Sequence, residues 1–272
     1  MKIPFVKYQG AGNDFILIDL RKSPSFPDPA AFAVRVCERR FGIGADGFLL
    51  LLPSKSADYR MRIFNADGSE PSMCGNGLRC LVDFIVKSEN VVNVSIETLH
   101  GVLKCRKVED EIAVNLGPPA ILHWPCEMAD GSVFIVNTGV PHAVLFVDNL
   151  ESVDVASLGR KIRFDSRFAP QGVNVNFVCP TAEGRLALRT YERGVEAETL
   201  ACGTGAAAAA FVASEHLGFG SQVPTMTRCS FGPGKIQFQQ LIRFLFPQNS
   251  RGQTEIEMLG SAEEVFSGTI VI

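Results

Sequence analysis

Two cysteines in this chain stand in the same local frame, Cys74 in Met73-Cys74-Gly75-Asn76-Gly77 and Cys202 in Ala201-Cys202-Gly203-Thr204-Gly205. A helical stretch follows each, so each thiol sits at a glycine-flanked helix entrance. Unpaired backbone N–H groups and the positive end of the helix dipole favour a thiolate there, which predicts a lowered pKa and a sulfur able to act as a base. The glycines, lacking Cβ atoms, let a small anion lie against the exposed amides. An amino-acid carboxylate suits that place, because it gains charge as the α-carbon loses its proton and the amides stabilise that charge. Inverting a stereocentre by proton transfer needs a base on one face and an acid on the other. Two equivalent cysteines, one thiolate and one thiol, supply both, with their roles exchanged according to the handedness of the substrate.

The elements that must position this pair repeat along the chain. Helices are predicted from Gly77 to Lys87 and from Gly205 to Leu217, the second carrying the run Ala206 to Ala210. Alternating apolar and polar residues predict strands at Tyr59-Arg60-Met61-Arg62-Ile63-Phe64 and Leu186-Ala187-Leu188-Arg189-Thr190-Tyr191. The two cysteine motifs, the pair Arg62-Ile63-Phe64 and Arg189-Thr190-Tyr191, and the stretches Gly10 to Asp19 and Gly139 to Asp148 recur in one order at a spacing of about 128 residues. The chain therefore reads as a duplicated unit, each copy ending in a strand, a loop, a Cys-Gly-x-Gly turn and a helix. Small side chains all round the second helix fit a sheet wrapped around a buried helix. Pro118-Pro119 marks a boundary, and the expected lobes are 1–118 plus 263–272, carrying Cys74, and 119–262, carrying Cys202.

Composition narrows the function classes. With 272 residues, 46% of them hydrophobic, and a formal net charge of −3, the chain can bury one large core or two modest ones and has no basic footprint for nucleic acid or an anionic membrane. No signal-peptide-like or membrane-spanning run is present, so a cytosolic, reducing setting is expected, and the 8 cysteines read as free thiols. Cys37, Cys80, Cys105, Cys126, Cys179 and Cys229 carry no motif and read as small buried hydrophobes.

The segments Gly10-Ala11-Gly12-Asn13-Asp14-Phe15, Phe64-Asn65-Ala66-Asp67-Gly68-Ser69-Glu70, Cys74-Gly75-Asn76-Gly77, Tyr191-Glu192-Arg193-Gly194 and Ala201-Cys202-Gly203-Thr204-Gly205 together resemble the signature blocks of the diaminopimelate epimerase family, over essentially the whole chain. The resemblance implies an α+β fold of two pseudo-symmetric lobes, each a curved, mostly antiparallel sheet around a central helix, with the site between them. It implies an isomerase that needs no PLP or other cofactor and no metal, interconverting LL- and meso-diaminopimelate on the route to lysine and peptidoglycan precursors, and by analogy a homodimer. Carried over by motif, Cys74 and Cys202 are the catalytic pair, and Gly75, Asn76, Gly203 and Thr204 hold the reacting carboxylate. Asn13, Asn65, Asn174, Glu192 and Arg193 bind the distal end of the substrate, and His142 supports proton transfer. Arg193 has the planar fork to clamp a carboxylate, and Glu192 the charge to pair with an ammonium.

Two positions depart from the family pattern. Gly47 stands where many relatives carry Gln, and Val140 where many carry Asn. Losing two polar contacts predicts weaker discrimination against other amino acids, with glutamate the first to try. A proline or hydroxyproline racemase of the same fold is the nearest alternative, but such relatives usually carry His where this chain has Asn76. A non-catalytic metal-binding protein would need closer cysteine spacing than that of Cys74 and Cys80. A cysteine hydrolase would have His142 as its only general base and no use for a second cysteine.

Overall fold

The structure is a computed structural model that describes residues 2–22, 25–128, 131–199, 202–228 and 238–271; Ala201 and Cys229 lie outside the described residues. In chain order the elements are β1 (Lys2–Gly10), β2 (Asn13–Asp19), α1 (Pro29–Cys37), β3 (Gly47–Pro53), β4 (Tyr59–Asn65), α2 (Gly75–Glu89), β5 (Asn93–Thr98), β6 (Gly101–Val108) and β7 (Glu111–Asn115). They continue with β8 (Ala120–Met128), β9 (Gly131–Asn137), β10 (Pro141–Phe146), α3 (Val155–Arg163), β11 (Asn174–Pro180), β12 (Leu186–Glu192), β13 (Ala197–Thr199), α4 (Gly203–Leu217), β14 (Gln222–Arg228), β15 (Phe238–Leu245), β16 (Glu257–Gly260) and β17 (Glu263–Val271). The chain divides into two compact units, Met1–Asn115 with Leu259–Ile272, and Leu116–Met258.

In the first unit the strands pair β1 with β2 antiparallel, β2 with β3 parallel, β3 with β4 antiparallel, β4 with β5 parallel and β5 with β6 antiparallel. The C-terminal strand β17 pairs antiparallel with β1, which ties the end of the chain to its beginning. The second unit repeats the pattern: β9 with β10 antiparallel, β10 with β11 parallel, β11 with β12 antiparallel, β12 with β14 parallel and β14 with β15 antiparallel. A parallel pair needs a crossover, and each crossover here is helical. α1 and α3 fill the first crossover of their units, α2 and α4 the second.

The sheets are therefore covered on both faces. In the first unit Ile16, Ile18, Phe48 and Leu50 pack with Phe32, Ala33 and Val36 of α1. The alternate residues Phe15 and Leu17 are just as buried, and α2 packs against β1, β2, β3 and β4. This explains why β2 reads as an unbroken apolar run rather than an alternating one. In the second unit Val175 and Phe177 pack with Val155 and Ile162 of α3, while α4 packs against β9, β10, β11, β12, β14 and β15. Ala206 to Ala210 are completely buried. The small side chains of the alanine run let the surrounding strands approach this part of α4 closely.

Both central helices begin two residues earlier than the apolar pattern predicts, at Gly75 and Gly203 rather than Gly77 and Gly205. The cysteine itself is the N-cap in each case, with extended backbone angles of φ −140°, ψ 116° at Cys74 and φ −123°, ψ 106° at Cys202. The seven described cysteines are all free thiols. Cys37, Cys80 and Cys105 are buried, whereas Cys126 and Cys179 are half-buried, Cys126 lying 3.4 Å from the Arg167 guanidinium. Among the described residues no helix is long and apolar enough to cross a membrane.

Candidate active site

In the first unit the chemistry gathers at one end of the sheet. β2 begins at Asn13, β3 at Gly47 and β4 ends at Asn65, and the registers place Phe15 beside Gly47 and Gly47 beside Asn65. The first turn of α2 rests on the same strands, since a Cβ on Gly77 would touch Leu49, Ile63 and Phe15. Cys74 is half-buried, and its sulfur accepts the Gly77 N–H at 3.5 Å. Beside it, the amide oxygen of Asn76 accepts from the buried Arg79 guanidinium at 2.8 Å.

Asn13 is held by a charged network. Its side-chain nitrogen donates to Asp46 at 2.8 Å, Arg39 bridges Asp46 and Asp14, and Lys7 pairs with Asp14 at 2.8 Å. Burial alone would raise the Asp14 carboxyl, but Arg39 and Lys7 hold it well below the usual carboxylate range. Asn65 is exposed and donates to Ser69 at 2.9 Å. Gly47 is buried, and a Cβ there would meet the Phe15 ring at 3.1 Å and the Phe64 carbonyl at 3.1 Å. The space next to this position is filled by Phe15.

The second unit builds the corresponding end from β10, β11 and β12. His142 lies opposite Asn174 in the register, and β12 ends at Glu192. The Asn174 side-chain oxygen accepts the Arg193 backbone N–H at 2.8 Å, fixing the turn that carries Arg193. The Arg193 guanidinium has no hydrogen-bond partner among the described residues. Glu192 accepts from Thr199 at 2.6 Å and from the Cys202 thiol; burial raises its carboxyl, and those two bonds partly offset the rise. Cys202 lies 3.5 Å from the Thr204 hydroxyl, which in turn lies 3.0 Å from Nε2 of the fully buried His142.

The thiol pKa values correct the expectation drawn from the helix ends. Burial raises the Cys74 thiol, and the Gly77 and Asn76 amides with the Arg79 charge offset only part of that rise. Burial, reinforced by the neighbouring Glu192 charge, pushes Cys202 up to about 11 against the pull of Thr204 and of the amides of Gly205 and Thr204. Removing a sulfur anion from water costs more here than the helix entrance returns. Both cysteines are thiols at neutral pH in the free protein. A group whose pKa is raised ionises late, so alkylation of Cys202 by iodoacetamide is expected to be slow at pH 7 and to climb until about pH 11. A rate that levels off below pH 8, followed by mass spectrometry of the Cys202 peptide, would contradict this.

His142 also departs from an acid–base reading. Burial, with the Arg193 charge adding to it, pushes the imidazole down to about 3, so it is neutral over the physiological range. All the residues singled out in the second unit, Asn174, Glu192, Arg193, Cys202, Gly203, Thr204 and His142, meet at the α4 entrance or the strand ends beside it. Asn176, which touches His142, belongs to none of the sequence motifs. Its signal was the two-residue spacing from Asn174, which puts both side chains on one face of a strand. Among the described residues no group of three or more His, Cys, Asp or Glu side chains is arranged to hold a metal ion.

Solved structures share this duplicated architecture. A PhzF-family phenazine biosynthesis protein of Bacillus anthracis aligns with a TM-score of 0.70 at 16% identity, covering 100% of both chains. A hydroxyproline epimerase from Agrobacterium vitis aligns with a TM-score of 0.62 at 16% identity, covering 99% of this chain and 92% of that one. The class is thus the fold common to PhzF proteins and amino-acid epimerases, here with a cysteine capping each central helix. Within it, the chain belongs to the diaminopimelate epimerase family: the model of that family matches residues 5–122 and 134–233. A diaminopimelate epimerase of Methanocella arvoryzae is 42% identical over 99% of this chain and 97% of its own length. One from Aquifex aeolicus is 46% identical over 76% of this chain and 80% of its own. The kinship with hydroxyproline epimerase is one of fold alone, and family membership sets the proline-type alternative aside.

Proposed function

We propose that this protein epimerises LL-2,6-diaminopimelate to meso-diaminopimelate by two-base proton transfer at the α-carbon, without PLP, as a cytoplasmic step toward lysine and peptidoglycan precursors. The observation that carries the reading is the repeated capping geometry: each half of a duplicated fold presents one cysteine as the N-cap of a buried helix, beside first-turn amides that have no partner within the helix. Those amides, at Gly75, Asn76, Gly203 and Thr204, receive the α-carboxylate, and a donor aimed at developing oxyanion charge contributes on the order of 3–4 kcal/mol. Arg193 clamps the distal carboxylate, while Glu192, Asn13, Asn65 and Asn174 recognise the distal end of the substrate.

Because the free thiols are protonated, the base forms only when substrate is bound. The ammonium of the amino acid brings a positive charge that favours the thiolate, and Glu192, already hydrogen-bonded to the Cys202 thiol, is the acceptor through which that thiol gives up its proton. One sulfur then removes the α-proton and the other supplies one from the opposite face. His142 supports the Cys202 side through Thr204 as a neutral ring.

The reading extends to relaxed specificity. With Gly47 and Val140 in place of longer polar side chains, L-glutamate exchanges its α-proton measurably, more slowly than diaminopimelate. Exchange of the α-proton in D₂O under reducing conditions, followed by NMR with LL-diaminopimelate and L-glutamate in parallel, tests both statements. Deuterium uptake with inversion of diaminopimelate supports the epimerase, and its absence defeats it. No uptake by glutamate removes only the extension, and the covering of Gly47 by Phe15 would then be the reason that the substitution opens no gap. A homodimer completes the proposal, and sedimentation of the full chain tests it.

A further inference from the structure

Asn176 lies within β11, completely buried, with its carboxamide against the first turn of α4. Its partners determine which way it faces. The Ala143 carbonyl, 3.1 Å away, can only accept, so the atom facing it is the side-chain nitrogen. The same nitrogen lies 3.2 Å from Nδ1 of His142, and since an amide nitrogen only donates, Nδ1 must be bare. The side-chain oxygen accepts from the Thr190 hydroxyl at 3.0 Å, completing the set. His142 is neutral, so its single ring proton sits on Nε2. That N–H donates to the Thr204 hydroxyl oxygen at 3.0 Å, which turns the hydroxyl hydrogen away from the ring. The sulfur of Cys202 stands 3.5 Å from the same oxygen.

We propose that Asn176 is a positioning residue that fixes the tautomer of His142 and thereby aims the Thr204 hydroxyl as a donor at the Cys202 sulfur. The direction of donation is then uniform, from Asn176 through His142 and Thr204 to Cys202. The sulfur also meets Glu192, so the thiol accepts from Thr204 while donating to Glu192, and the thiolate keeps the Thr204 bond after its proton has gone. The network suits both protonation states without rearrangement, which is what a group alternating between acid and base needs. This inference rests on the reading of Cys202 as one of the two proton-transfer groups. It adds a residue whose position in a strand interior gave it no motif of its own.

The test uses the ligand-free full chain and does not depend on turnover. ¹⁵N NMR of histidine-labelled protein, with His142→Gln to assign the ring, is expected to show the proton on Nε2 and Nδ1 bare. A hydrogen bond to an ionised partner contributes enough to change an ionisation by about tenfold. Iodoacetamide alkylation of Cys202, read by mass spectrometry of its peptide, is therefore expected to slow about tenfold in Asn176→Leu and in Thr204→Val. Thr204→Ser, which keeps the hydroxyl, is expected to keep the rate. Because both changes cut one relay, the Asn176→Leu/Thr204→Val double variant is expected to be no slower than either single one. A proton on Nδ1 in the wild type, effects that multiply in the double variant, or a lowered melting temperature with unchanged alkylation would each overturn the proposal. If Asn176→Leu does not fold, the ring tautomer and the contrast of Thr204→Val with Thr204→Ser decide. Loss of diaminopimelate exchange in the wild type would defeat the epimerase reading and leave these readouts standing.

Discussion

Cys74→Ala and Cys202→Ala are each expected to lower the rate of diaminopimelate inversion by about 10³-fold or more, the scale on which a positioned acid or base contributes. The two proteins should not be equivalent in exchange. A variant that keeps one cysteine still has a sulfur on one face of the α-carbon, so it can remove a proton, trade it with solvent and return it to the same face. Slow deuterium uptake without inversion is thus expected from the stereoisomer whose α-proton faces the remaining sulfur. That isomer would differ between the two variants and would tell which handedness each cysteine serves. Neither variant enlarges a buried side chain, but Cys74→Ala removes the cap acceptor of the Gly77 N–H, so the melting temperature is expected to fall by only about 2–4 °C. Inversion by either variant within about tenfold of the wild type would sink the two-base mechanism.

Gly205→Ala is expected to be the most destabilising single methyl addition at the site. A Cβ at this position would lie 2.2 Å from Oδ1 of Asn176 and 3.3 Å from the Cys202 sulfur. Asn176 cannot step aside, because it is completely buried and its carboxamide is tied to His142, Ala143 and Thr190. Relieving the clash means breaking at least one of those bonds and leaving a buried polar group unpaired. Allowing for the better helix propensity of alanine, the net loss should be about 2–4 kcal/mol, or roughly 5–15 °C in melting temperature for a chain of this size. Gly203→Ala is the control. Among the described residues its Cβ would meet only the Met258 sulfur at an ordinary 3.7 Å, so its melting temperature is expected to stay within about 2 °C of the wild type. Equal thermal stability of the two variants, measured by calorimetry, would show that Asn176 is not held as described.

Much of this protein follows from local pattern. The paired Cys-Gly-x-Gly turns, the apolar and alanine-rich stretches after them and the repeat of about 128 residues were enough to place two helices with a cysteine at each entrance and to expect a duplicated α+β chain. Helix entrances, strand periodicity and duplication are carried by residues close together in the chain, so they can be seen without a tertiary structure. The ionisation of the thiols was different. A sequence shows that a cysteine begins a helix, but the desolvation that outweighs the helix end depends on how deeply packing buries the sulfur, and with Glu192 beside Cys202 it reversed the expected sign. The neutrality of His142, the donor direction imposed by Asn176 and the filling of the Gly47 site by Phe15 likewise arise only where β2, β10, β11 and α4 meet their neighbours. Propensity and spacing act over a few residues, whereas burial and hydrogen-bond polarity depend on what packing brings within about 3–4 Å.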